Sequence, residues 1–279
     1  MRRSGPTAAG IITVATLLLV GLLAAGAGAA QPTTIVVAGS GSGVAIARQL
    51  VKRFETLHPA IHVEIPASIG SRGGIAAASA GAISLGMVAR RLTPAEQAGG
   101  LCYVPFALTA QAIVTDASVP DDGLTTAELN AIYRGKKTTW RNGRKIVVLT
   151  REQQETAILL LAARLPGFGE AYRESMAGHY WYVLYSDQEM LKAVATIRDS
   201  LGISDIGQIA AEGYTVKPLL LNGVAPTLEN ALNGSYPLVK ELAFVYRSDR
   251  LPPEAQQFID FTKGKEGARI LQQYRYLPR

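Results

Sequence analysis

Apolar and polar positions along this chain switch repeatedly between a period of two and a helical period. TTIVVA at 33–38 is a β-like run, GSGSG at 39–43 interrupts it, and VAIARQLVKRFETLH then carries apolar residues at helical spacing. IHVEIPA at 61–67 and AISLGMV at 82–88 read as strands, with an Ala-rich helix predicted between them. A long apolar run, CYVPFALTAQAIVTD at 102–116, leads into the turn signal VPDDG at 119–123. Thr125 is the expected N-cap of AELNAIYRG, with Glu128 completing a capping box and Gly135 at the stop. KIVVLT at 145–150 has the pattern of a buried strand ending at Arg151, and TAILLLAARL follows as a helix. This alternation predicts α/β architecture.

Two of the predicted helices begin in loops of glycine and serine. Glycine lets several backbone N–H groups converge without Cβ obstruction, and a helix start adds partial positive charge at the same point. Ser40, Gly41 and Ser42 form one such element; Ser68, Gly70, Ser71, Arg72 and Gly73 form the other. Each serine offers a hydroxyl and a backbone N–H, neutral donors suited to a desolvated oxyanion. The alternative is a plain glycine-rich turn, with Arg72 facing solvent. Arg90 and Arg151 follow predicted strands, the end at which open α/β sheets bind ligands. Arg90 is otherwise a solvated or lobe-pairing arginine, and Arg151 an ion-pair partner of Glu152 or Glu155.

Four segments in order, GSGSG, SIGSRGGIAAASAGAISLGMVARRL, LTTAELNAIYRGKKTTWRNGRKIVVLTRE and FIDFTKGKEGARILQQYRYLP, resemble the phosphate-binding members of the periplasmic solute-binding proteins that feed ABC transporters. The resemblance implies the type 2 periplasmic binding protein fold, two α/β lobes joined by a two-strand hinge. It implies lobe 1 from residues 31–113 with 218–279 and lobe 2 from 114–217, with the return crossing near Tyr214 to Leu221. It also implies that Arg151, Glu155 and Thr156 flank the ligand: Thr156 donating its hydroxyl and N–H, Arg151 forming a bidentate pair. Where the family carries a glycine and serine turn, this chain has Glu152-Gln153-Gln154-Glu155, and Ala89 stands in place of an aspartate.

Glu155 has two readings. A carboxylate beside an anion site repels a fully ionised ligand but accepts a proton from hydrogen phosphate, which sulfate lacks at neutral pH. It also suits a helix N-terminus as a plain dipole charge. Ser186-Asp187 and Ser204-Asp205 resemble family positions near the cleft and at helix caps, and are expected to act chiefly as caps.

Residues 1–30 begin Met-Arg-Arg, continue through an apolar stretch and end in small residues, with Ala27-Gly28-Ala29 or Gly28-Ala29-Ala30 as the cleavage site of an expected signal peptide. An uncleaved anchor is the competing reading. No cysteine lies near the cleavage point, so a lipoprotein is not expected. Of 28 basic residues, Arg2 and Arg3 leave with this segment, so the mature chain has 22 acidic residues and a net charge of about +4. That excess suits small anions and is too diffuse for nucleic acid. Cys102, the single cysteine, excludes an intrachain disulfide and reads as a small buried hydrophobe.

Enzyme signatures are lacking. GSGSGVAI has neither the third glycine of a dinucleotide fingerprint nor a Walker lysine, and no serine centres a G-x-S-x-G elbow. His58 and His62 are separated by Pro59, which spoils a metal-binding helix face. The expected protein is therefore an exported, monomeric binder without cofactor or metal. It would capture phosphate or a similar oxyanion and deliver it to an ABC permease. Alternatives are a binder or sensor of another small anion, or a ligand-less scaffold or adhesion protein of the same fold.

Overall fold

The computed structural model describes residue 1 and residues 32 to 279; the expected export segment, beyond Met1, lies outside the described residues. The chain opens with β1 (Thr33–Gly39), α1 (Gly41–Leu57), β2 (Ile61–Glu64), α2 (Gly70–Ala80), β3 (Leu85–Val88), α3 (Pro94–Ala98) and the long strand β4 (Leu101–Asp116). Next come β5 (Gly123–Leu124), α4 (Thr126–Tyr133), β6 (Val147–Arg151), α5 (Thr156–Arg164), α6 (Phe168–Ala177), β7 (Tyr182–Leu184), α7 (Asp187–Thr196) and β8 (Ser200–Asp205). The last part holds α8 (Ile206–Glu212), β9 (Val216–Pro218), β10 (Leu220–Leu221), α9 (Leu228–Leu232), β11 (Val239–Arg247), α10 (Pro253–Lys263), α11 (Lys265–Gln273) and β12 (Leu277–Pro278).

The alternating pattern becomes a mixed sheet in the order β2-β1-β3-β11-β4-β8-β6-β7. β1 pairs in parallel with β2 and β3, and β6 in parallel with β7 and β8. β4 links the two halves: it lies antiparallel to β11 through Leu101–Ala110 and antiparallel to β8 through Gln111–Thr115. Thus one strand passes through both lobes, and every residue from Phe106 to Asp116 is buried.

Two apolar clusters account for most of the core. In the first, Ile46, Leu50 and Phe54 of α1 pack on β1, β11 and α10, with Phe54 edge-on to Phe258 at 5.2 Å and Phe106 stacked on Phe244 at 4.4 Å. In the second, Tyr133 meets Phe168 edge-on at 4.9 Å over Leu149, Ile158 and Leu161. Burial of each such side chain contributes about 1.5–3 kcal/mol. Leu219, Leu221, Tyr236 and Leu238 pack in the second cluster, whereas Leu242 and Phe244 pack in the first. The apolar residues of the second cluster thus extend to Leu238. β9 and β10 pair with β4 and β5 respectively.

Local signals set several boundaries. Thr125 accepts from the Glu128 N–H at 3.1 Å in a reciprocal capping box, and Gly135 takes φ 67° where α4 stops, as the sequence predicts. The strand expected over 61–67 ends at Glu64, and that over 82–88 begins at Leu85. No helix among the described residues is long and apolar enough to cross a membrane.

Candidate functional site

Four helix N-termini close a ring at the ends of β1 and β6. Gly41 opens α1 directly against Asp187, the first residue of α7: a Cβ on Gly41 would collide with the Asp187 carboxylate, so only glycine allows this approach. Gln188 Nε2 donates to the Gly41 carbonyl at 3.0 Å, tying the same two helices together. Asp187 Oδ2 lies 3.7 Å from Arg151 Nη1, and Arg151 Nη2 lies 3.4 Å from Glu155 Oε1. Glu155 is the N-cap of α5, and its carboxylate accepts from the Thr156 N–H at 2.8 Å. Ser71, in the first turn of α2, stands 3.2 Å from Thr156 across the lobes, Oγ to Oγ1, and accepts from the Ala89 N–H at 3.1 Å. The Ser68 hydroxyl donates to the Gly39 carbonyl at 3.0 Å and returns the ring to α1.

Arg151 stands at the centre and is 2% exposed. Its Nη2 donates to the Tyr185 carbonyl at 3.2 Å, its own carbonyl accepts from the Tyr172 hydroxyl, and its Nε and Nη1 have no hydrogen-bond partner. Burial also pushes the Tyr172 phenol up to about 12, so it remains a donor to the Arg151 carbonyl. Leaving two guanidinium donors unpaired in a buried position costs free energy unless something else takes them. The nearby carboxylates supply charge but no hydrogen bonds at these distances.

A second cation lies beneath α1. Lys240, at the start of β11 and 3% exposed, donates to Ser42 Oγ at 3.0 Å and pairs with Asp205, also at 3.0 Å. Burial raises the Asp205 carboxyl above its usual range, opposed by the Lys240 ammonium and reinforced by Asp187. Asp205 makes no side-chain cap to α8, so its partner is this lysine and the expected capping role gives way to an ion pair. Ser186 does cap α7, in a box with Glu189.

The structure separates the sequence-predicted residues into groups. Gly41, Gly70, Ser71, Arg151, Glu155 and Thr156 face one another around the ring, with a Cβ on Gly70 reaching Glu155 at 3.5 Å. Ser40 is buried at the N-cap of α1 and makes no side-chain cap. The Ser42 hydroxyl is engaged by Lys240, and the Ser68 hydroxyl closes its own loop. Gly73 backs onto Ile69, and Arg72 is exposed, reaching Gln154 of the other lobe at 3.3 Å. Arg90 is held by Glu96 through two 2.8 Å hydrogen bonds, because the capping box of Thr93 already fixes that carboxylate at the strand end. This arginine lowers the Glu96 carboxyl to about 2.

Lys240 escaped the sequence reading, since a lone lysine before an apolar strand gives no sign of burial. Asp187, after Ser186 at a helix start, is expected from the sequence near the cleft and chiefly as a cap. Among the described residues, no group of His, Cys, Asp and Glu could hold a metal ion. His62 pairs with Glu55 at 2.9 Å.

Outside the ring, Ser71, Thr156 and Glu155 border a cleft of about 1060 Å³ between the lobes. A smaller depression of about 620 Å³ around Lys136 and Trp140 lies apart from these residues and opens to solvent.

Comparison with known proteins gives, among others, five matches. Residues 24–266 match the family described as "PBP superfamily domain". The phosphate-binding protein PstS 2 of Streptococcus pneumoniae is 32% identical over 104 residues, 37% of this chain, and the chain spans 35% of that relative's length. The protein SphX of Synechococcus elongatus is 24% identical over 83% of this chain and 74% of its own. Among solved structures, a putative phosphate ABC transporter substrate-binding protein with bound phosphate from Clostridium perfringens is 25% identical, with a TM-score of 0.78 over 88% of this chain and 100% of that one. An ABC-type phosphate transport receptor from Vibrio cholerae, 24% identical, gives a TM-score of 0.62 over 88% and 100%.

Proposed function

The chain belongs to the PBP superfamily, and from that premise we propose that it is an exported solute-binding protein that captures phosphate between its two lobes and delivers it to an ABC permease. The observation that carries this reading is Arg151, buried with Nε and Nη1 unpaired where four helix N-termini from both lobes meet. An oxyanion offers acceptors to donors left open in this way, and helix starts supply further N–H groups and favourable dipole potential. The Ser71 and Thr156 hydroxyls add neutral donors from opposite lobes, so a ligand held by both stabilises the closed arrangement. The relative described as a phosphate-binding protein and the solved putative phosphate ABC transporter substrate-binding protein with bound phosphate support the choice of ion.

Charge narrows that choice. Asp187 and Glu155 crowd the guanidinium, so an ion carrying its own proton is accommodated better than one without. Hydrogen phosphate has that proton at neutral pH and sulfate does not. In this reading the lobe division follows the two apolar clusters, and residues 219–238 move with the second lobe. The protein acts as a monomer, performs no covalent chemistry, and reaches its place of work by the expected cleavable export segment.

Calorimetric titration of the protein stripped of bound anion tests this, with phosphate and then sulfate. Heat with phosphate alone is the expected result. No heat with either ion refutes the reading and moves the search to other anions and to protein partners.

A further inference from the structure

Charge is not shared evenly between the two apolar clusters. The segments that form the first, residues 31–109 with 239–279, carry 14 basic and 8 acidic residues, whereas residues 110–238, which form the second, carry 12 and 14. Part of the excess is gathered on two helices of the first cluster, α1 and α11. Leu50 and Phe54 of α1 and Ile270 and Leu271 of α11 are buried in that cluster. Helical spacing then puts Arg48 and Lys52 one turn apart on α1, and Lys265 and Arg269 one turn apart on α11, all four exposed. The two helices meet along this edge. Lys52, Arg53 and Arg269 line one groove of about 270 Å³, Arg53 Nε donates to Glu266 Oε2 at 3.2 Å, and the Tyr274 hydroxyl donates to Gln49 Oε1 at 3.1 Å.

Neighbouring carboxylates do little to cancel this charge. Glu55, the acidic residue of α1, accepts from the Val63 N–H and contacts His62 Nδ1, both at 2.9 Å, so its carboxylate faces β2. Asp260 accepts from Gln256 of its own helix at 2.8 Å. Glu266, the acidic residue of α11, does sit among the cations, shared by Arg53 at 3.2 Å and Arg269 at 3.5 Å. Arg48, Lys52 and Lys265 take part in no ion pair among the described residues. Leu57, one turn beyond Arg53 at the end of α1, adds an apolar side chain that is 45% accessible.

Five cations set a helical turn apart on two helices do not converge on one point, as the donors of a single-ion site do. They suit an extended array of anions. With the choice of partner resting on the delivery to a membrane permease proposed above, we infer that this face of α1 and α11 docks the protein on a bilayer of anionic phospholipid. Arg48, Lys52, Arg53, Lys265 and Arg269 lie against the headgroups, and Leu57 reaches into the boundary between headgroup and acyl chain. Such docking holds a receptor close to the membrane and raises the rate at which it meets a permease.

The test is cosedimentation of residues 31–279 with vesicles of phosphatidylglycerol and of phosphatidylcholine. Thr33–Arg279 form one compact unit, and leaving out residues 1–30 keeps their apolar stretch from the readout. Binding to phosphatidylglycerol alone is expected, fading as ionic strength rises from about 0.01 to 1 M and the screening length falls from about 30 to 3 Å. Each basic residue near an anionic surface strengthens binding about fivefold, so Arg48→Gln with Lys52→Gln should weaken it about 25-fold. The same pair should leave phosphate affinity unchanged. Lys136→Gln with Lys145→Gln removes equal charge from two exposed positions of the other segment and should change vesicle binding by less than about twofold. Equal losses in the two double variants, or equal binding to both vesicles, overturn the inference. Absence of vesicle binding overturns it as well and turns the search for an occupant to acidic proteins and polymers. None of these outcomes touches the phosphate reading, which titration of the stripped protein decides separately.

Discussion

Arg90 and Arg151 each stand where a parallel-paired strand meets the cleft, one in each lobe, and their surroundings give them different work. Arg90 is half-buried and both of its terminal nitrogens are taken by Glu96, six residues on. Arg151 is fully buried, and its two carboxylate neighbours sit too far away to accept its hydrogens. A strand-end arginine is thus available to a ligand only when no local carboxylate reaches it with good geometry. Lys240 adds a third case: buried like Arg151 but paired like Arg90, it joins Ser42 to Asp205 and has its donors occupied.

That third case gives the largest expected effect. Lys240→Met leaves Asp205 buried without its partner, which should cost about 3–5 kcal/mol of stability in denaturant unfolding. A loss below about 1 kcal/mol would mean that the lysine is not structurally committed. Next comes Arg151→Gln, which should weaken phosphate binding by at least 100-fold, roughly the 3 kcal/mol of a charge-assisted hydrogen-bonding site. Arg90→Gln should leave affinity within about twofold. The melting-temperature rise given by phosphate reads both variants, and equal losses in the two would erase the contrast between the arginines.

Glu155→Gln should admit sulfate at an affinity within about tenfold of phosphate, because the repelling charge is gone. Continued exclusion of sulfate would remove Glu155 from the discrimination and leave Asp187 to account for it. The smallest effect belongs to the Arg90 pair. The Glu96 carboxyl is lowered from 4.5 to about 2, so its contribution is present above the unfolded value and is lost as pH falls through the folded one. Because the pair is partly solvated, Glu96→Gln should cost about 1 kcal/mol at pH 7, with the difference from the parent vanishing near pH 2.

Much of the architecture was legible because it depends on local periodicity. Alternation over 33–38 and helical spacing over 44–58 lead directly to β1 and α1, since each needs only its own apolar face. The Thr125 box and the Gly135 stop rest on hydrogen bonds within a few residues. Cluster membership was not legible in the same way: Leu219, Leu221, Tyr236 and Leu238 are apolar enough for either core, and only tertiary packing places them in the second cluster. At the site, the glycine and serine loops announced two of the four helix starts. The partnership of Ser71 with Thr156 spans 85 residues of sequence and left no local trace.

The sequence by itself determined the alternating strands and helices, the caps and turns, and the placing of arginines and serines at strand and helix ends, because each follows from interactions within about four residues. The tertiary structure alone decided which arginine keeps its donors free, that Ser42 faces a buried lysine, and that Gly41 admits Asp187. Those outcomes depend on distances between segments far apart in the chain, and burial sets how much each unpaired donor or charge matters.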